Sequence, residues 1–206
     1  MMISTRKCRL CRREKTKLFL KGSRCFSPKC PLDRKGAVPP GMHGIKSGAR
    51  LSYYGQQLRE KQKLKRFYGI SETQLRNYFK KAQTLKGPTG DNLLSLIETR
   101  LDNVVYRLGL VPSRATARQL TVHGYVLVNG RKAMVPSRQL KVGETVSISQ
   151  KASKMKKVQE VLVKKDLELP SWLEKKALVG KVASLPVREE ITLDVNEYLI
   201  IEFYLR

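Results

Sequence analysis

The chain has 206 residues, enough to bury a core without disulfides, and its 42 Lys and Arg against 17 Asp and Glu leave a formal charge of +25. That excess goes far beyond what solubility requires and predicts a polyanionic partner. The sequence has no run of about 18 apolar residues to span a membrane and no apolar signal-peptide core at its start, so nucleic acid in the cytosol or an organelle is the expected setting, with no membrane partner. Residues 1–98 carry 23 basic and 6 acidic residues, which makes the N-terminal half the stronger electrostatic element.

The first element is a cysteine cluster, Cys8, Cys11, Cys25 and Cys30, in the pattern C-x2-C-x13-C-x4-C. Short intervals within each pair let two thiolates reach one ion, and the longer spacer brings the second pair round to complete a tetrahedron, a geometry that suits structural zinc. Lys7, Arg9, Arg12, Arg13, Arg24 and Lys29 are expected to offset the negative charge of such a centre and to favour thiolates. The spacing also admits an iron–sulfur cluster, and four free thiols or two disulfides are the plain alternative.

Residues 31–50 are rich in Gly and Pro and include Lys46 and Arg50, a flexible basic stretch suited to RNA. LSYYGQQLREKQKLKRFYG then places Leu51, Tyr54, Leu58, Leu64 and Phe67 along a helical stripe that Gly69 stops, with Arg59, Lys61, Lys63, Lys65 and Arg66 on the other faces. ISETQL predicts a helix over about 72–85, with Ser71 as N-cap, Gln74 completing a capping box, and Ile70 with Leu75 as a staple. Asp91 is expected to cap a further helix through DNLLSLIETRL. The aromatics at Tyr53, Tyr54, Phe67, Tyr68, Tyr78 and Phe79 fall at helical spacing and are read as packing groups rather than base stackers.

From residue 102 the pattern becomes two short helices and a compact sheet. Asp102 is expected to cap NVVYRL, and Ser113 to cap RATARQLTV. YVLVNGRKAMV reads as a hairpin turned at Asn129-Gly130, and ETVSIS as a further strand. Arg114 and Arg118 lie four apart on one helical face, where two guanidiniums can span neighbouring phosphates. His123 at the helix end either hydrogen-bonds RNA or caps carbonyls. KASKMKKVQEVLVKKDLEL predicts a helix, Pro170 a second helix opening near the packing anchor Trp172, and residues 181–206 short strands ending in EYLIIEFYL, buried against the body.

RLDNVVYRLGL followed by SRATARQLTVHGYVLVNGR resembles the small αβ RNA-binding module of the S-four family of small-subunit ribosomal proteins. CRLCRRE, PPGMHG, LREKQKLKRFYGI, GDNLLSLIETRLDNVVYRLG and NEYLIIEFY extend the resemblance, in order and over nearly the whole chain, to the bacterial or organellar type of that family. The resemblance implies a protein that binds the 5′ domain of small-subunit ribosomal RNA early in assembly and remains as a structural component. It also implies ribosomal proteins S-three and S-five as neighbours, and basic residues matching Lys46 and Arg50 that act on incoming messenger RNA. By position, the four cysteines match the family's zinc-binding variant, and its RNA face maps onto Ser113, Arg114, Arg118, Gln119, His123, Asn129 and Lys132. Tyr53 departs from the acidic residue expected in LSDYG.

The fold expected is α+β: a zinc-organised, mainly helical N-terminal domain, then an αα-β RNA-binding module with a C-terminal helix and strand extension. The segments expected are 1–48 zinc-binding, 49–98 basic helical, 99–165 module and 166–206 C-terminal. The same module occurs in enzymes, but there beside a separate catalytic domain for which the flanking segments here are too short. With two histidines and no phosphate-cradling Gly loop, the sequence points away from catalysis. A zinc-containing DNA regulator is the other competitor; basic residues spread over several elements, without a single recognition helix, favour RNA read by shape.

Overall fold

The computed structural model describes residues 7–45, 50–162 and 169–206. The chain forms two compact units, residues 1–84 with 194–206, and residues 85–193.

The first unit begins with α1 (Lys7–Glu14), a 3-10 turn at Gly22–Phe26 and the short α2 (Pro31–Lys35). Side chains tie these pieces together: Arg12 donates to the carbonyls of Val38 at 2.8 Å and Pro39 at 3.2 Å, and Lys17 pairs with Asp33 at 2.7 Å. α3 (Tyr53–Tyr68) starts where the Ser52 hydroxyl accepts from the Gly55 amide, and stops at Gly69, whose left-handed φ of 66° any Cβ would disfavour. α4 (Glu72–Thr84) opens with the expected capping box. The Ser71 amide donates to Gln74 Oε1 and the Gln74 amide to Ser71 Oγ, while Ile70 and Leu75 are buried beside it.

The second unit opens with α5 (Thr89–Glu98), capped at Pro88 rather than Asp91, which sits in the first turn facing the helix dipole. α6 (Leu101–Arg107) starts after Arg100, and Asp102 is no cap: both its carboxylate oxygens hold the Arg100 guanidinium, at 3.0 and 2.7 Å, inside the fold. α7 (Arg114–Val122) is capped as expected, with Ser113 Oγ accepting from the Thr116 amide. β1 (Val126–Val128) and β2 (Arg131–Lys132) form the hairpin, where Asn129 at φ 51° and Gly130 at φ 77° supply the left-handed pair such a tight turn needs. β3 (Thr145–Ile148) pairs with β1.

α8 (Gln150–Ser153) and α9 (Lys156–Leu162) replace the single helix expected there; the end of that expected helix, 163–168, lies outside the described residues. The helix expected around Trp172 is instead β4 (Leu173–Lys176), which turns into β5 (Val179–Val182). The sheet runs β2-β1-β3-β5-β4, antiparallel throughout. Strand pairing overrides a proline start here because it closes the sheet over Trp172, which is 1% exposed in a core with Val104, Leu108, Val146 and Val182. In β5, Gly180 lies so close to Leu108 that a Cβ would stand 2.3 Å from its methyl groups.

The closing segment is not strands. α10 (Glu197–Leu205) is a helix capped by Asn196, whose side-chain carbonyl accepts from the amides of Tyr198 and Leu199 while its own amide donates to Glu60 on α3 at 3.1 Å. Its aromatic and β-branched composition favours strand, but the cap and a docking face on α3 decide for helix. α10 packs mainly on α3 and also on α4, so residues nearly 150 positions apart close the first unit. Among the described residues no helix is long and apolar enough to cross a membrane.

Candidate RNA-binding surface and cysteine pocket

The five cations of α3 do not form the open basic face that helical spacing suggested. Lys61 and Lys63 are buried, and Arg59, Lys65 and Arg66 are partly so. Lys61 Nζ lies 2.8 Å from Glu72 Oε1 and Lys65 Nζ 3.0 Å from Oε2, and the Tyr204 hydroxyl donates to the same carboxylate at 3.0 Å. Lys61 also stands 4.0 Å over the Phe203 ring, and Tyr204 stacks on Phe79. Burial would raise the Glu72 carboxyl, but these three donors outweigh it and hold it at about 2; burial and Glu72 together push the Tyr204 phenol up. Lys63 reaches Glu60 at 3.7 Å. Arg59 and Arg66 converge on Glu14 of α1, whose carboxyl burial pushes up against their pull. Tyr53, the departure from the expected acid, donates to Glu202 on α10, so its hydroxyl has a packing role.

A similar inward turn holds in the second unit. Arg114 donates to Asn103 Oδ1 at 2.7 Å and lies over the Tyr106 ring, Arg118 approaches Asp102 at 4.0 Å, and Ser113 is buried as a cap. Glu98 takes Arg107 in a bidentate pair, with 2.6 and 3.1 Å contacts, and also accepts from Asn103. The motif ETRLDN is thus a buried ionic frame that orients α6 and α7. Arg114 and Arg118 were expected to span phosphates; this frame draws both guanidiniums inward and leaves both half-buried.

Exposed to solvent are Arg50, Gln119, His123, Asn129 and Lys132, and Lys46 lies outside the described residues. Asn129 spends its side-chain carbonyl on Thr145, accepting from the amide at 2.8 Å and the hydroxyl at 3.1 Å. Sequence reasoning passed over Arg131, exposed beside Lys132 on the hairpin, and Arg76 with Lys80, exposed four apart on α4. The i, i+4 spacing of the latter pair, on a different face from the buried Leu75 and Phe79, was a signal open to sequence.

All four cysteines are free thiols lining one small pocket with Leu20 and Leu32. Cys8 and Cys11 come from α1, Cys25 from the 3-10 turn and Cys30 from the cap of α2, and the Lys21 amide donates to Cys25 Sγ at 3.3 Å. Yet among the described residues no three His, Cys, Asp or Glu side chains stand in a ready ligating arrangement, so metal binding requires these thiols to rearrange. Burial pushes the Cys11 and Cys25 thiols up, with nearby cysteines adding to it, so here the surrounding cations do not by themselves produce thiolates.

An αα-β module carrying an exposed basic hairpin, beside a helical unit with its own exposed cationic row, defines a structural RNA-binding protein. Residues 3–98 match the family profile "Ribosomal protein S4/S9 N-terminal domain" and residues 99–146 the profile "S4 domain". The "Small ribosomal subunit protein uS4" of Geotalea daltonii is 52% identical over 202 residues, covering 96% of this chain and 95% of that protein. That of Halothermothrix orenii is 51% identical over 203 residues, covering 97% and 96%. That of Geobacter sulfurreducens is 52% identical over 202 residues, covering 96% and 95%. The chain belongs to the uS4 family of ribosomal proteins, and is a structural component of the small ribosomal subunit that binds its RNA, not an enzyme.

Proposed function

We propose that the chain is a primary binder of the 5′ domain of small-subunit ribosomal RNA, acting early in assembly by holding RNA helices at fixed angles. The observation that carries this reading is the exposed set Gln119, His123, Arg131 and Lys132 on a module whose Arg100, Arg107, Arg114 and Arg118 are drawn to internal partners. Exposed cations neutralise phosphates, and the buried ionic frame holds α6 and α7 in place, so less of the module has to be ordered on binding. With about 6 to 10 phosphates contacted, affinity should fall about a thousandfold or more between 50 and 200 mM salt. The reading includes a place near the channel by which messenger RNA enters, beside ribosomal proteins S-three and S-five, with Arg50 exposed toward solvent in support.

The cysteine pocket adds a structural zinc to this proposal. Four thiols of one small pocket are a donor set that zinc accepts in full, leaving no open position for chemistry. Cys8, Cys11, Cys25 and Cys30 would hold the ion and thereby fix the basic segment 7–35. Zinc titration of reduced protein tests this: one equivalent bound, with loss of binding in the four-serine variant, is expected, and no binding overturns it. The RNA reading is tested by binding to a 5′-domain transcript against transfer RNA and duplex DNA competitors at about 150 mM salt. Retained binding is expected; equal displacement by all three would reduce the chain to a general polyanion binder.

A further inference from the structure

We propose that the Phe26 ring is a stacking platform for an unpaired base of the bound RNA, an inference that rests on the RNA-binding reading above. Phe26 is 72% exposed at the end of the 3-10 turn, although the buried Cys25 precedes it. An isolated exposed apolar side chain needs no explanation, but this one is built upon. The Phe19 ring lies against it at a centroid distance of 5.0 Å and an interplanar angle of 25°, covering one face. Phe19 adopts a φ of 49°, a left-handed conformation that a bulky residue keeps only where its surroundings enforce it.

The backbone beneath the platform is pinned on both sides. The Lys21 amide donates to Cys25 Sγ at 3.3 Å, and the Ser27 hydroxyl donates to the Arg24 carbonyl at 3.1 Å. The ring is therefore held before a ligand arrives, which lowers the cost of ordering it. Its surroundings select the ligand. Lys21, Arg24 and Lys29, close to it in sequence, are all exposed, and no acidic residue occurs between Glu14 and Asp33. A flat apolar ring on a segment whose only charged residues are cations fits a base attached to its phosphates better than an apolar protein surface. Stacking tolerates any base, so the platform contributes affinity rather than sequence choice.

The test uses the full-length protein and the 5′-domain transcript at fixed salt, with thermal melts to show that each variant folds. Phe26→Ala and Phe26→Leu should each weaken binding by about 5- to 150-fold, since both lose the π-face. Phe26→Tyr, which keeps that face, should stay within about twofold, and the salt slope should not change because no phosphate contact is lost. A Phe26→Leu variant that binds as wild type, or a Phe26→Tyr variant that loses as much as Phe26→Leu, overturns the platform. Displacement of the wild type by transfer RNA would sink the ribosomal reading alone. The ratio between the Leu and Tyr variants, measured on whichever RNA is bound, still decides the platform.

Discussion

The two units close their cores in opposite ways. The unit of residues 85–193 is continuous in sequence, and its core is aliphatic: Leu101, Val104, Val105 and Leu108 meet Val126, Val146 and Val182 around Trp172. The other unit needs both ends of the chain, because α10 returns to close α3 and α4 through Ile200 and a polar latch of Glu72, Lys61, Lys65 and Tyr204. The comparison teaches that a net charge of +25 is no inventory of RNA contacts. A cation near a carboxylate and an aromatic ring is held within the protein, and only one without such neighbours is available for phosphate.

The largest effect should come from removing residues 194–206. This strips Lys61 of the Phe203 and Tyr204 rings and uncovers the Ile200 seat, so the helical unit should lose its cooperative melt while the sheet-containing unit keeps its own, as read by hydrogen exchange at α3 and β1 amides. Within α10, Ile200→Ala should cost about 2–5 kcal/mol for a fully buried side chain. Gly180→Val strikes the other unit by forcing Leu108 from its place, and should cost about 1–3 kcal/mol or more in a denaturant titration. Lys61→Met should cost about 1.5–3 kcal/mol through the lost charged hydrogen bond, with little direct effect on RNA binding.

A smaller effect follows from pH. Glu72 is held at about 2, below its ordinary 4.5, so its stabilisation of the latch is present above pH about 4.5 and lost as pH falls toward 2. Protection of α10 amides in the wild type should therefore decline across that window, and Glu72→Gln should flatten the part of the decline that Glu72 supplies. An unchanged profile in the Gln variant would show that the carboxylate does not control the latch.

What the sequence disclosed tracks how local each signal is. Ser71 with Gln74, Ser113, Gly69 and Asn129-Gly130 all act within a few residues, and each does what its chemistry implies. The α10 helix was missed because EYLIIEFYL carries strand-favouring residues and its cap depends on Asn196 meeting Glu60 of a distant helix. Lys61 and Lys63 looked exposed for the same reason, since Phe203 and Tyr204 beside Lys61 and Asp194 near Lys63 arrive more than 130 positions later. Asp102 was taken for a cap because caps and buried ion-pair acids share a residue type; only the neighbouring Arg100 inside the fold separates them. The convergence of the four cysteines on one pocket was legible from spacing, whereas the burial that pushes the Cys11 and Cys25 thiols up was not.

The most direct test of the division between internal and available cations is the salt dependence of binding to the 5′-domain transcript for two variants, Lys61→Met and Arg131→Ala with Lys132→Ala. An unchanged slope is expected for the first, and for the second a slope lower by about one for each phosphate contact removed, with stability within about 0.5 kcal/mol of wild type. A reduced slope for Lys61→Met beside an unchanged slope for the hairpin variant would contradict that division.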